Sequence, residues 1–233
     1  MNLSLPPSIN QMKNKYKYFI FDMDGTVCES RQLISKDMER KLLKLATSSK
    51  DVFIISGASE QQMEKQIPSF YFHFLSQSGN FTPFWKNYLS MDEENEIMSH
   101  ISSLIPIKRG MIEKRGCQIS LSLVGHNAPI EKKKNFDKDQ RIRKNLLKTH
   151  PFKSKALTCR IAGTTCIDYT SKNGTKGKNI KRLIKELGWN KNECIYFGDA
   201  LYKGGNDETV IGVIKTVKVS GPQDLLKKLD KYI

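Results

Sequence analysis

The chain has 233 residues, 38% hydrophobic and 27% charged, and its 39 Lys and Arg outweigh 24 Asp and Glu for a net charge of +15. No apolar run approaches the roughly 20 residues that a membrane-spanning helix needs, and the five cysteines form neither a CxxC pair nor a zinc pattern. These features exclude a zinc- or disulfide-stapled scaffold and point to a soluble, cytoplasmic protein with free thiols, Cys117 and Cys194 being core residues. The charge admits nucleic-acid binding or the steering of small anions, but the lysines are spread along the chain rather than gathered in an aromatic-interleaved patch.

Residues 1–15, with Pro6-Pro7 and no apolar core, read as a frayed leader. Tyr18 to Phe21 is an aromatic, apolar run expected to be a buried strand, and it ends in Asp22-Met23-Asp24-Gly25-Thr26. Residues two apart on an extended chain point the same way, so Asp22 and Asp24 can share one site. Two hard oxygen ligands at a strand's C-terminal end suit Mg2+ and a phosphate; the simpler reading is an Asp-Gly turn. Ser35 then caps a helix expected to run to about Thr47, with Met38, Leu42, Leu43 and Leu45 inward. Asp51 to Ile55 is a second strand leading into Ser56-Gly57, and Ser59 with Gln62 forms a capping-box pattern for a helix to about Ile67. Tyr71 to Leu75 is a third strand, which completes the rhythm of a parallel α/β sheet.

From residue 82 to residue 172 the rhythm breaks into an α+β insert. It contains a helix over Asp92–Ile105, strands over Ile112–Arg115 and Cys117–Val124, a charged helix over Lys132–Thr149 with Ile142, Leu146 and Leu147 as its apolar stripe, and a hairpin turning at Gly163. The α/β rhythm resumes with a helix from about Lys176 to Leu187 stopped by Gly188, a strand over Cys194–Phe197 ending in Gly198-Asp199, a strand over Val213–Val219, and a helix opened by Pro222. The expected architecture is therefore a Rossmann-like parallel-sheet core formed by residues 1–81 and 173–233, with residues 82–172 as an inserted cap.

In an open parallel sheet the strand C-termini share one edge, so Asp22 and Asp24, Ser56, Lys176, and Asp199 with Asn206 and Asp207 can converge although they are far apart in sequence. Carboxylates alone would repel one another, and a divalent cation reconciles them. A lysine and a hydroxyl beside them would complete a cradle for a phosphoryl group.

Those residues resemble the haloacid dehalogenase (HAD) superfamily of phosphotransferases. Asp22-Met23-Asp24-Gly25-Thr26 matches its DxDGT first motif, Ser56 the second, Lys176 the third, and Gly198-Asp199 through Gly205-Asn206-Asp207 the fourth. The insert resembles the C2 cap of the IIB, or Cof-like, subgroup. The resemblance implies that Asp22 is a nucleophile forming an aspartyl-phosphate and that Asp24 is the general acid and base. Ser56 and Lys176 would grip the phosphoryl oxygens, and Asp22, Asp24 (through its carbonyl) and Asp199 would hold Mg2+. Asn206 and Asp207 would support the metal shell or Lys176.

Within the subgroup, Gly25 to Gln32 and Ile112-Glu113-Lys114-Arg115 are similar to eukaryotic-type phosphomannomutases. That likeness implies substrate contacts at Arg31, Arg115, Lys133, Asp168 and Gly57. The chain departs from the mutase pattern where His126 and Lys133 stand in place of arginines, Cys166 in place of a serine, and Ser56 in place of glycine. Neither lysine nor histidine supplies a guanidinium fork, so the grip on a second phosphate is expected to be weaker. The expectation is thus a Mg2+-dependent phosphohydrolase for a small phosphorylated metabolite, a sugar phosphate, with phosphomannomutase as the alternative and a non-catalytic nucleic-acid or anion-binding protein as a third reading. A homodimer through the cap is allowed. His126 is expected to be a polar surface or hairpin residue, and Lys132-Lys133-Lys134 a solvated run.

Overall fold

The computed structural model describes residues 15–68 and 70–233; the leader expected over residues 1–15 lies, apart from Lys15, outside them. Strand β1 (Tyr18–Asp22) is the centre of a five-stranded sheet. On one side of it lie β2 (Asp51–Ile55) and β3 (His73–Leu75), and on the other β8 (Cys194–Gly198) and β9 (Lys215–Lys218), all parallel. The chain leaves β1 towards one edge and returns on its other side, so the C-terminal end of β1 is the topological switch point where such sheets bind ligands.

Alternation along the strands feeds two apolar layers. Phe19 and Phe21 face one layer with Ile54 and Phe197, closed by Met38, Leu42 and Leu45 of helix α1 (Lys36–Ala46), Met63 of α2 (Glu60–Gln66) and Leu225 and Leu229 of α7 (Pro222–Leu229). Ile20, Phe53 and Tyr196 face the other, closed by Ile180 and Leu183 of α6 (Lys176–Glu186). Near-continuous apolar strands are what burial on both faces requires. Ser35 caps α1 as expected. Ser59 caps α2 through the Gln62 amide, but the Gln62 side chain donates to Gln66 instead of completing the box.

Between β3 and β8 the chain builds a second, antiparallel sheet in the order β4 (Ile112–Lys114), β5 (Ile119–Ser122), β7 (Cys166–Ser171), β6 (Leu157–Ala162). Helix α3 (Met91–Leu104) packs Ile97 and Ile101 against Ile119, Leu121, Ile167 and Tyr169. The single charged helix expected over Lys132–Thr149 is two helices, α4 (Ile130–Phe136) and α5 (Arg141–Thr149). Asp137 causes the break: its carboxylate accepts the amides of Ile142 and Arg143, as an N-terminal cap does, and pairs with the Arg143 guanidinium at 2.7 Å in a fully buried contact. Leu146 and Leu147 of the expected stripe pack against the second-sheet core, but the fully buried residue of α5 is Arg143, while Ile142 is half exposed. All five cysteines are free thiols, and Cys117 and Cys194 are buried. Among the described residues no helix is long and apolar enough to cross a membrane.

Candidate active site

β1 delivers Asp22, almost fully buried, to the switch point. Lys176, the first residue of α6, reaches back with its ammonium to Asp22 Oδ1 and, at 2.7 Å, to Asp207 Oδ1. The Tyr196 hydroxyl donates to the same Asp207 oxygen at 2.6 Å, and the Ala200 amide donates to its Oδ2. Asp199 follows β8, and the carboxylates of Asp22, Asp199 and Asp207 lie within 4.8 Å of one another. Gly25 makes this convergence possible. It turns at φ +84°, and a side chain there would place Cβ 2.7 Å from Asp199 Oδ2.

Burial, reinforced by Asp207 and Asp199 against the opposing pull of Lys176, holds the Asp22 carboxyl well above its ordinary value. Burial and Asp207 push Asp199 up to about 6. Lys176 is raised despite its burial, because two carboxylates face it. Three acids around one ammonium leave negative charge in a dry place, and the all-oxygen donor set fits a small hard divalent cation. Both Asp207 oxygens are already engaged, so its part is to hold Lys176, while Asp22 and Asp199 keep oxygens for a metal.

Asp24 does not join this carboxylate cluster. Its Oδ1 is turned aside to accept the Arg31 amide at 3.0 Å and the Gln66 side-chain amide at 3.2 Å, so any share in a metal site would fall to its backbone carbonyl. Ser56, buried just beyond β2, accepts the Ala58 amide at Oγ, which keeps its hydroxyl hydrogen available. Asp22, Asp24, Ser56, Asp199 and Asn206 line one wall of a cavity of about 360 Å3.

The opposite wall comes from the second sheet and its loops, together with Arg31 of the loop after β1. Glu113 on β4 accepts Arg31 at 2.9 Å through one oxygen and Arg115 at 2.5 Å through the other. Arg115 also donates to the carbonyl of Gly57 at 2.5 Å, so this guanidinium ties the second sheet to the first. Gly57 must be small here, because a Cβ would lie 2.9 Å from Asp168 Oδ2. Asp168 is held by the Ser120 hydroxyl at 2.5 Å across the β5–β7 pair. Although burial opposes it, the cations of Arg115, Arg31 and their surroundings draw Glu113 down to about 2.

Two expectations are overturned on this wall. His126 is not a surface residue. It is 2% exposed, with Nε2 at 3.1 Å from the Ser120 carbonyl oxygen and Nδ1 at 3.1 Å from Arg31. Burial lowers it to about 4, so it is neutral near pH 7. Within the lysine run, Lys132 and Lys134 are solvated, but Lys133 is buried and donates to the His126 carbonyl. Lys133 lies on the inner face of α4, whose helical turn leaves its neighbours Lys132 and Lys134 outside. The expected substrate residues Arg31, Arg115, Lys133, Asp168 and Gly57 thus all line the same cavity as Asp22. Sequence reasoning missed Glu113, Tyr196 and Gln66. Glu113 is visible only once the β4–β5 register sets it opposite Ser120, while a glutamine at a helix end and a tyrosine in an apolar strand carry no signal of their own.

Residues 86–233 match the eukaryotic phosphomannomutase family. The phosphomannomutase of Schizosaccharomyces pombe is 28% identical over 263 residues, covering 96% of this chain and 96% of that protein. The one from Encephalitozoon cuniculi is 27% identical over 243 residues, covering 92% and 93%. Among solved structures, an N-terminally truncated IMP-nucleotidase of Plasmodium falciparum superposes with a TM-score of 0.69 at 16% identity, over 97% of this chain and 72% of that one. BT1666 of Bacteroides thetaiotaomicron, a phosphatase of the HAD superfamily, gives 0.65 at 12% identity over 99% of both chains. These two likenesses establish the fold, a HAD-type parallel core. With a family match that spans well over half its length, the chain belongs to the eukaryotic phosphomannomutase family.

Proposed function

We propose that the protein is a Mg2+-dependent phosphohydrolase that takes a small phosphorylated metabolite, a hexose phosphate, through an aspartyl-phosphate on Asp22. Residues 82–172 serve as the cap that selects the substrate. Asp22, Asp199 and the carbonyl of Asp24 would hold the metal, with Asn206 beside them. Bound there, Mg2+ would offset the charge of the phosphoryl oxygens and of the acids themselves. Lys176 and the Ser56 hydroxyl orient the phosphoryl group towards Asp22. An Asp22 oxygen bonds to phosphorus as the bond to the sugar oxygen breaks, and Asp24 gives that oxygen its proton. Asp24 then takes a proton from water as the water oxygen attacks phosphorus, which frees Asp22 and inorganic phosphate. Arg31, Arg115, Lys133, Asp168 and Gly57 face the body of the substrate.

The observation that carries hydrolysis over isomerisation is the charge on the cap wall. Arg31, from the loop after β1, and Arg115, on the cap, share the Glu113 carboxylate beside a neutral His126, so both guanidinium groups that line the cavity there are already engaged. A mutase must grip a second phosphate dianion as firmly as the first, which calls for unengaged forks. Phosphomannomutase activity is favoured instead by the family and by the presence of those cations in the cavity. The deciding experiment offers mannose 1-phosphate with Mg2+, with and without a hexose 1,6-bisphosphate, and measures inorganic phosphate against mannose 6-phosphate. Phosphate release should dominate; isomerisation that outruns it overturns the hydrolase reading. Asp22→Asn should abolish both reactions, and its survival would sink the nucleophile assignment.

A further inference from the structure

The side of Asp24 turned away from the cavity is closed by donors. The Arg31 amide and the Gln66 Nε2 both point at Oδ1, at 3.0 and 3.2 Å. Arg31 reaches this position with φ +58°, a left-handed conformation that few residues other than glycine adopt. Gln66 ends α2, is 4% exposed and is fixed from both ends. Its Oε1 accepts Gln62 Nε2 at 2.9 Å, and its backbone carbonyl accepts the Ile34 amide at 2.8 Å. With Oε1 committed to Gln62, the amide NH2 faces only acceptors: Asp24 Oδ1, the Gln32 carbonyl at 3.3 Å and Cys28 Sγ at 3.3 Å.

An acid in this setting has only one oxygen on which to carry its proton. Two N–H groups aimed at Oδ1 leave no acceptor for a hydrogen placed there, so a protonated Asp24 must carry it on Oδ2. Asp24 lines the cavity that Asp22 also faces. We infer that Gln66 is a positioning residue for proton transfer, its side-chain amide, together with the Arg31 N–H, reserving Oδ2 of Asp24 as the proton-carrying atom. The inference rests on the reading of Asp24 as the acid and base of the proposed reaction. In the first half of that reaction the Asp22–phosphorus bond forms, the phosphorus–oxygen bond to the sugar breaks, and the Oδ2 proton passes to the departing oxygen. In the second half Oδ2 recovers a proton from the attacking water as the Asp22–phosphorus bond breaks. Without Gln66, Oδ1 and Oδ2 become alternative proton sites and the carboxyl group is free to rotate.

The test uses two leaving groups. A hexose phosphate expels an alkoxide that must be protonated, whereas 4-nitrophenyl phosphate expels a phenolate stable enough to leave unaided. The parameter kcat/KM reports only the steps through departure of the leaving group, so water activation does not enter it. Gln66→Met should lower kcat/KM on the hexose phosphate by about 30- to 100-fold, a part of what general acid catalysis supplies, and on 4-nitrophenyl phosphate by less than about threefold. Equal losses on both substrates mark a merely structural glutamine and overturn the inference, as does an undiminished rate on the hexose phosphate. Should Gln66→Met fail to fold, Gln62→Met, which removes the bond that orients the Gln66 amide, should show the same ordering at smaller size. The first transfer to Asp22 is common to a hydrolase and a mutase, so the ordering stands or falls separately from phosphate release against isomerisation. A wild-type protein that turns over neither substrate overturns both.

Discussion

The two walls of the cavity solve opposite electrostatic problems. The core wall packs three carboxylates around a single buried ammonium and is left with excess negative charge. The cap wall pairs its Arg115, and Arg31 from the loop after β1, with Glu113, holds Asp168 through Ser120, and keeps a neutral histidine beside them. The first arrangement leaves charge that its own partners do not offset, whereas much of the second is satisfied by its own partners. A wall that is incomplete by itself is where chemistry is to be expected, and a wall that is satisfied by itself fits a gate that discriminates. Arg115 links the two, since its Nη1 on the Gly57 carbonyl is a contact from the second sheet to the first.

The sharpest way to break the contrast is Lys176→Met. Removing one partner of a buried ionic cluster leaves the rest uncompensated, so the variant should lose about 3–5 kcal/mol in urea unfolding with chelator present. Its phosphate release should fall on the order of 10^3-fold, as when a preorganised charge at the reacting group is deleted. A stability loss below that of an ordinary surface substitution would mean that the core wall is not the dry, charged cluster described.

Arg115→Lys tests the cap wall with a milder change. The charge survives, but the fork that reaches both Glu113 and Gly57 does not. KM for a hexose phosphate should rise about tenfold with kcat within a factor of about three, which separates binding from chemistry. A fall in kcat matching the rise in KM would move Arg115 into the reacting centre and erase the distinction between the walls.

The smallest effect is in pH, and its sign differs between the walls. Asp199 is raised from its ordinary 3.8 to about 6, so the metal-free native state holds that proton and loses stability, on this group's account, as pH rises between those values. A metal takes the proton's place, so the gain in Tm from Mg2+ should be small near about pH 5 and grow to a plateau near about pH 7. His126, lowered from 6.5 to about 4, and Glu113, lowered from 4.5 to about 2, act the other way. Each costs stability as pH falls from its ordinary value towards its native one, with or without metal. Thermal unfolding with Mg2+ and with chelator across this range therefore isolates the core wall by difference. A Mg2+ gain that does not vary with pH would sink the assignment of Asp199 to the metal.

Much of this was legible in the chain itself, and the reason is locality. An aromatic run ending in Asp22-Met23-Asp24-Gly25 is a strand and a sharp exit wherever it occurs, and Ser35 and Pro222 mark helix starts by rules that act within one turn. Short, near-continuous apolar runs marked the core strands, and the order of strands and helices set their parallel sense. The acids that meet at the switch point follow from that order alone, since parallel strands end on one edge. What depended on packing was less visible. Asp137 breaks a helix that the charge pattern would continue, because two amides and the buried Arg143 compete for its carboxylate.

The sequence by itself determined the α/β core, the inserted second sheet and the acidic strand end, because strand and helix periodicity and turn chemistry are properties of neighbours in the chain. Only the tertiary structure decided that His126 and Lys133 turn inward, that Glu113 occupies Arg31 and Arg115, and that Gln66 closes one side of Asp24. Each of those contacts joins residues from different elements, and which of two polar side chains finds a partner and which is left to water depends on register and burial that no local pattern carries.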